Sequence, residues 1–329
     1  MATREGSHLF YVPRETHRIG NFVTMKTEAP IHIDLKVPRS WNECTTEQLE
    51  MIAVVLLKHT AKQDRYHPFD WTMVKAELFL VLSGVEIINY RDGGMTVCRY
   101  HGMEFELEPW QIHSWCDQLL KWVDDPKQTR LIFPYKELLP YVRPAMRYWC
   151  GMKLPWLEKC YHTPQELLQD FKWHQYRYLQ DYMDEYIRLN NRIVKMQQGV
   201  VDKDRLKELN AQLMAARTEF LSVLFHCEKC PHRVRVINDV QWQVILFWWG
   251  GMMHYLQKTY PHCFRSSGGK KQKRQPNPLE IYTSIIATMQ VKTGLDEEKV
   301  NNQTFHIVLE QLERIAREAE EMEKLNKKK

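Results

Sequence analysis

Residues Leu168 to Val223 read LQDFKWHQYRYLQDYMDEYIRLNNRIVKMQQGVVDKDRLKELNAQLMAARTEFLSV. In the first half Leu168, Phe171, Leu179, Tyr182, Tyr186, Leu189, Ile193 and Met196 recur at steps of three and four, interrupted only at Gln175. After Gly199 the rhythm resumes in Leu206, Leu209, Leu213, Ala216, Phe220 and Val223. Such spacing gathers apolar side chains on one face of a 3.6-residue helix. The stretch therefore predicts two long amphipathic helices joined by a short turn at Gln198–Gly199, with Asp202 or Asp204 capping the second. A first helix of about 30 residues would be about 45 Å long. The two read as a helical hairpin, and both its packed and its exposed uses are packing, not chemistry.

On the C-terminal side, Val236 to Tyr260 predicts a third helix, apolar on nearly all sides around Trp242, Ile245, Phe247, Trp248 and Trp249. A helix without a polar face is buried. Arg265 to Gln275 (RSSGGKKQKRQ) carries five basic residues and no acid, and reads as a flexible linker. Beyond it, a helix over Leu279 to Met289, a break at Gly294 and a final helix form a small unit. In that last helix Phe305, Val308, Leu312, Ile315, Ala319 and Met322 repeat at 3-4-3-4-3. Its remaining faces are densely charged, so its end is expected to project or to pair with another helix.

The N-terminal part is mixed. Ile31 to Val37 (IHIDLKV) alternates as a half-buried strand does, and Thr45 or Thr46 caps a helix running to about His59. A second helix covers Trp71 to Leu82 and ends at Ser83–Gly84. Val85 to Tyr90 and Met95 to Tyr100, linked by Arg91–Asp92–Gly93–Gly94, read as a β-hairpin. Met103 to Glu108 offers a third strand before a helix over Trp110 to Val123. The fold class predicted is mainly α: a helical bundle with a long helical hairpin and a small N-terminal β-hairpin element. The domains expected are residues 1–160 (mixed α and β), 161–264 (hairpin plus buried aromatic helix), 265–278 (basic linker) and 279–329 (C-terminal helical unit).

Composition narrows the function. The 44% hydrophobic content, with 11 Trp, 15 Tyr and 12 Phe, suits a packed core. The net charge of +5 falls to −3 once the five basic residues of the linker and Lys327, Lys328 and Lys329 are set aside. A nucleic-acid-binding domain concentrates its charge on a folded face; here Lys270, Lys271, Lys273 and Arg274 sit in the linker, which makes nucleic acid a rival partner only. Eight scattered Cys do not make a disulfide scaffold, and a reduced cytoplasmic setting is expected. The opening MATREGSHLFYVPRETHR places charges where a signal peptide needs an apolar core. The most apolar run, Val244 to Tyr255, falls short of the roughly 20 residues of a membrane span, so no membrane attachment is expected.

Catalytic signatures are missing from the sequence. Gly268–Gly269–Lys270–Lys271 lacks the spacing and the hydroxyl of a phosphate-binding loop, and no HExxH, GxSxG or EF-hand pattern occurs. No general acid or base is nominated, and the chain is expected to be non-enzymatic and free of cofactor. Cys227 and Cys230, in HCEKCPH, are the sharpest chemical candidate: two thiolates at this spacing supply half of a tetrahedral zinc site. The other half would have to come from residues such as His262 or Cys263. The alternative reading places Cys227 and Cys230 in a turn after a helix.

Three segments resemble a group of prophage proteins encoded among tail genes. Val37 to Leu57 (VPRSWNECTTEQLEMIAVVLL) is similar to their opening strand, P-x-S-W-N-E-x-T-x-E-Q-L motif and helix. Trp242 to Phe264, closing on Tyr260–Pro261–His262, is similar to their later aromatic helix, and Asn277–Pro278–Leu279–Glu280–Ile281 to the start of their last unit. That last unit also resembles tail assembly chaperones, which bind the tape-measure protein before the tail tube forms. The resemblance implies a phage tail-module protein in the host cytoplasm, acting as an assembly chaperone or minor structural component, and no catalytic residue. Its partners would be tail proteins such as a tape-measure protein. Their helical segments would be bound on an apolar stripe, with Phe305, Val308, Leu312 and Ile315 the residues expected to carry it.

Overall fold

A computed structural model of the chain describes residues 35–61, 69–91, 94–125, 148–149, 152–153, 165–197, 202–225, 237–264 and 278–327. The chain divides into two compact units, Met1–Arg130 and Leu131–Lys329. Both are built mainly of helices, as the apolar periodicity predicts, and no helix among the described residues is long and apolar enough to cross a membrane.

The first unit contains α1 (Thr46–Ala61), α2 (Trp71–Ser83), β1 (Glu86–Tyr90), β2 (Thr96–Tyr100), β3 (Met103–Leu107), α3 (Pro109–Leu119) and the short α4 (Lys121–Asp124). Helix α1 starts where Thr45 Oγ1 accepts the Gln48 N–H at 3.2 Å while Gln48 Oε1 accepts the Thr45 N–H at 2.9 Å. This reciprocal pair satisfies two amide donors that a helix start leaves open. Asp70 caps α2 through the Thr72 N–H, and Gly84, at φ 71°, ends it in the left-handed conformation glycine takes most cheaply. The strands form an antiparallel sheet in the order β1-β2-β3, so the third strand joins the hairpin. A bulge between Ile87 and Asn89 shifts the β1–β2 register. Strand β2 turns Val97, Cys98 and Tyr100 into the core, where Leu107, Phe79 and Leu78 are also buried. Trp41 meets Trp122 edge to face at 5.1 Å, and Trp122 Nε1 donates to the Pro38 carbonyl at 2.9 Å.

One expectation for this unit fails in part. Leu35 to Val37, the described end of the predicted strand Ile31–Val37, is not in a sheet: the Val37 N–H donates to the Leu35 carbonyl at 3.2 Å. Leu35 is buried nonetheless, so its alternation with Lys36 reflects a core contact made by irregular chain. Residues 31–34 lie outside the described ones.

The second unit contains a two-residue-stranded hairpin, β4 (Tyr148–Trp149) and β5 (Met152–Lys153), then α5 (Trp173–Gln197), α6 (Lys203–Leu224), α7 (Asp239–Thr259), α8 (Pro278–Thr293), α9 (Glu297–Asn302) and α10 (Phe305–Lys327). Helices α5 and α6 are the predicted hairpin; Leu189, Ile193, Leu209 and Ala216 form its seam, flanked by Tyr186, Met196, Leu206 and Leu213. Asp202 caps α6 through the Asp204 and Arg205 N–H groups. The turn at Gln198–Gly199 is outside the described residues. Helix α5 begins at Trp173, five residues later than Leu168, because Leu167 and Leu168 both take φ 57°. A short antiparallel bridge holds the chain there: the Trp173 N–H donates to the Gln303 carbonyl at 2.8 Å, and the Phe305 N–H to the Phe171 carbonyl at 3.0 Å.

Helix α7 is buried or half-buried along most of its length, as its lack of a polar face predicts. Asn238 and Gln241 form a capping box at its start. Trp242 and Trp249 meet Phe220 edge to face at 5.6 and 5.3 Å, and Tyr186 adds a third edge contact to Trp242. Helices α8 to α10 fall in the second unit with α5 and α7. Phe305 stacks on Tyr176 at 4.6 Å, Arg177 lies 3.8 Å over the Tyr282 ring, and His174 Nδ1 donates to the Asn301 carbonyl at 2.8 Å.

Candidate functional site

The first unit has an apolar cleft of about 600 Å³ between α2, α3 and the β1–β2 part of the sheet. Its volume is in the range of small-molecule and side-chain-binding pockets. Helix α2 makes this possible because it is apolar on two sides. Val74, Leu78, Phe79 and Leu82 are buried in the core, while Met73, Ala76 and Leu80 line the cleft. Ile87, Pro109 and Ile112 complete the apolar wall, and Met73 stands at the mouth with 59% of its surface exposed. Pro109 opens α3, where Glu108 and Gln111 form the capping box that fixes the helix start against the sheet.

The polar groups around this cleft are paired with one another. Glu77 receives Lys58 Nζ at 2.6 Å and His59 Nε2 at 2.9 Å. Partial burial pushes the Glu77 carboxyl up, but the bonds and charges of Lys58 and His59 outweigh it and hold the group below the ordinary glutamate value. Lys75, nearly buried, reaches Asp124 at 2.9 Å and Asp117 at 3.5 Å, and His113 Nδ1 lies 3.4 Å from the other Asp117 oxygen. Burial, reinforced by the Asp117 charge, pushes the Cys116 thiol up to about 12. A thiol held protonated in this way is a poor nucleophile. The cleft is thus lined mainly by apolar side chains, and its ion pairs link α1, α2, α3 and α4.

The second unit has a polar cluster at the end of α7. His262 Nδ1 pairs with Glu313, its Nε2 lies 3.3 Å from Glu320, and Lys324 reaches Glu320 at 2.9 Å. The His262 and Cys263 N–H groups donate to Glu313 at 2.8 and 3.0 Å. Burial works against the Glu313 carboxylate, yet the His262 bond and these two amides hold it below the ordinary range. Cys263 donates its thiol to the Leu309 carbonyl at 3.5 Å, and burial with the neighbouring Glu313 pushes it up to about 12. Among the described residues no group of three or more His, Cys, Asp and Glu side chains is arranged to hold a metal ion.

Of the residues singled out in the sequence, Cys227 and Cys230, and Lys270, Lys271, Lys273 and Arg274, lie outside the described residues. Of the expected partner stripe, Phe305 and Val308 are fully buried within the second unit. Leu312 and Ile315 are half-buried. Sequence reading missed the cleft, although one signal was present. The run Trp71 to Leu82 is too apolar to have a single buried face, since Met73, Ala76 and Leu80 remain after the core positions are assigned.

It also missed Arg217, which is buried and donates to the Ile237 and Asn238 carbonyls at 2.6 and 3.0 Å and to Asp239 at 2.7 Å. On the periodicity of α6 alone it reads as a solvated charge beside the seam. The chain matches no family model, no curated protein and no solved structure.

Proposed function

We propose that this chain is a non-catalytic binding protein of a tailed-phage tail module, an assembly chaperone or minor structural component that takes up an apolar segment of another tail protein in the cleft between α2, α3 and β1. The observation that carries the reading is the cleft itself: a concave apolar surface whose charged border is already neutralised within the unit. An apolar partner entering it leaves no charge unpaired, which is the usual cost of burying polar surface. Exposed Met73, Tyr90 and Trp110 add the Met and aromatic character in which protein interfaces are enriched. The tail-module part of the proposal is supported by the sequence likeness at Val37–Leu57, which forms the Trp41 turn and α1, and at Trp242–Phe264, which contains α7.

The test is affinity capture of the full chain from cells producing phage, followed by titration of whichever tail protein is recovered. Met73→Glu places a charge at the mouth, where the exposed position tolerates it. It should weaken binding about tenfold or more while leaving the melting temperature unchanged. Undiminished binding by Met73→Glu and by a cleft-filling Ile112→Trp would remove the cleft from the account.

A further inference from the structure

Leu167 and Leu168, just before α5, both take φ 57°, a left-handed backbone that residues other than glycine adopt only where their surroundings hold them there. The turn closes on itself through the Leu168 N–H, which donates to the Gln165 carbonyl at 2.9 Å, and the Gln165 N–H, which donates to Asp170 at 2.9 Å. The Leu167 carbonyl is held from α10 instead: it accepts from His306 Nε2 at 2.7 Å. With the proton of the neutral ring on Nε2, Nδ1 is the acceptor, and it receives the Tyr260 hydroxyl at 3.2 Å. The ring is half-buried and lies against Phe305, their centroids 4.0 Å apart. One uncharged imidazole thus ties the strained turn before α5 to the end of α7 and the start of α10.

We infer that His306 is a proton-operated latch: uncharged, it holds the Leu167–Leu168 turn against α10, and on taking up a second ring proton it releases the turn and loosens the junction of α5 with α10. A proton on Nδ1 turns that nitrogen into a donor, so the Tyr260 hydroxyl has to give up its own donation to it. It also places a charge where burial has removed water. The neighbouring charges do not compensate. Asp170 is engaged with the Gln165 N–H, Glu313 with His262, and Glu310, one turn along α10, is exposed to solvent. Lys172, beside the turn, adds a like charge. Burial accordingly holds the His306 imidazole below its ordinary 6.5, with the Leu167 bond offsetting part of the effect. The closed junction binds this proton less readily than the open one, so closure is fully favoured above that pH and is lost as pH falls through it towards the lower value of the closed form. The strain at Leu167 and Leu168 supplies the restoring force once the ring lets go. The latch lies within the second unit and does not depend on the cleft.

The experiment is amide hydrogen exchange on the full chain at about pH 7.5 and about pH 5.5, a window that spans the titration of an ordinary imidazole, each rate divided by the intrinsic rate at that pH. The reporters are the Trp173 and Phe305 amides, whose bonds to the Gln303 and Phe171 carbonyls at 2.8 and 3.0 Å close the junction. Their protection should fall about threefold or more on acidification, while that of Leu189 and Ile193 in the hairpin seam stays level. His306→Gln keeps an amide donor and acceptor without a titrating ring, and should hold the protection constant between the two pH values. His306→Ala should show low protection at both. Protection that does not change with pH in the native chain overturns the latch. So does a pH dependence that survives in His306→Gln, which would assign it to His174, bonded to the Asn301 carbonyl, or to His262 between Glu313 and Glu320. A loss of protection that is equal in the hairpin seam also overturns it, because the unit would then be loosening as a whole.

Discussion

Arg217 offers the most direct test of how the second unit holds α7 in place. Its side chain is 7% exposed and joins α6 to the first turn of α7 through the Ile237 and Asn238 carbonyls and Asp239. Its guanidinium also lies 5.2 Å from the Trp242 ring. Arg217→Met keeps much of the aliphatic stem and removes the donors. The Asp239 pair contributes little, because Asp239 is 80% exposed and solvent screens it; such pairs are worth at most about 1 kcal/mol. The carbonyl bonds matter more, since hydrogen bonds to a charged group contribute about 1.5–3 kcal/mol each. The Asn238 carbonyl keeps the Trp242 N–H at 3.0 Å after the change, so the full penalty falls on Ile237. A loss of about 3 kcal/mol follows, with the cation–π contact adding up to about 1. Arg217→Lys should recover less than half, because one ammonium cannot reproduce the planar fork over three acceptors. Urea unfolding followed by tryptophan fluorescence gives the loss, and hydrogen exchange at the Gln241 and Trp242 amides gives its location. A loss below about 1 kcal/mol, or faster exchange spread evenly over the unit, would refute the anchoring role.

Three further expectations concern other elements. Phe305→Ala removes a fully buried ring stacked on Tyr176 and should cost about 3–5 kcal/mol by calorimetry, whereas exposed Met322→Ala should stay within about 0.5; similar values for both would contradict the burial contrast along α10. Glu313 is held below its usual 4.5, so it binds protons less readily folded than unfolded and contributes fully above that pH. Its contribution fades as pH falls through the folded value. The stability gap between the native chain and Glu313→Gln should therefore be wide at about pH 6 and shrink as the pH falls below the usual glutamate range, and a gap that widens on acidification would reverse the sign. The Cys44, Cys116 and Cys263 thiols, pushed up to about 12, and Cys98, pushed up to about 11, should resist iodoacetamide at about pH 8 until the chain is unfolded. Peptide mass mapping reads this directly, and rapid native labelling of Cys116 or Cys263 would contradict it.

How far the fold was legible depended on where the stabilising contacts lay in the sequence. The hairpin seam Leu189–Ile193–Leu209–Ala216 could be read because one period governs both helices and their partner is adjacent. The starts of α1 and α7 rest on Thr45–Gln48 and Asn238–Gln241, pairs three residues apart. The start of α5 was misplaced because it depends on Gln303 and Phe305, which the local pattern around Leu168 does not contain. The stripe of α10 shows the same limit: the spacing from Phe305 to Met322 is uniform and identifies a face, yet the first two positions meet Tyr176 and the core while the last is exposed. The cleft was invisible for a related reason. Its wall combines α2, β1 and α3, and its ion pairs link His59 to Glu77 and Lys75 to Asp117 and Asp124.

Neither polar cluster places an activated thiol beside its imidazole–carboxylate pair. An imidazole bound to a carboxylate is two-thirds of a nucleophilic triad, and His113–Asp117 and His262–Glu313 each have a cysteine adjacent in sequence, Cys116 and Cys263. Activation requires that cysteine to be driven towards the thiolate by a positive or solvated setting. Both thiols are driven the other way, by burial first and by the neighbouring carboxylate second. Cys263 additionally donates to a backbone carbonyl, a bond that only the protonated thiol can make. The same two carboxylates that raise these thiols tie α2 to α3 through Lys75 and α7 to α10 through His262, so their charge is used to hold helices in register.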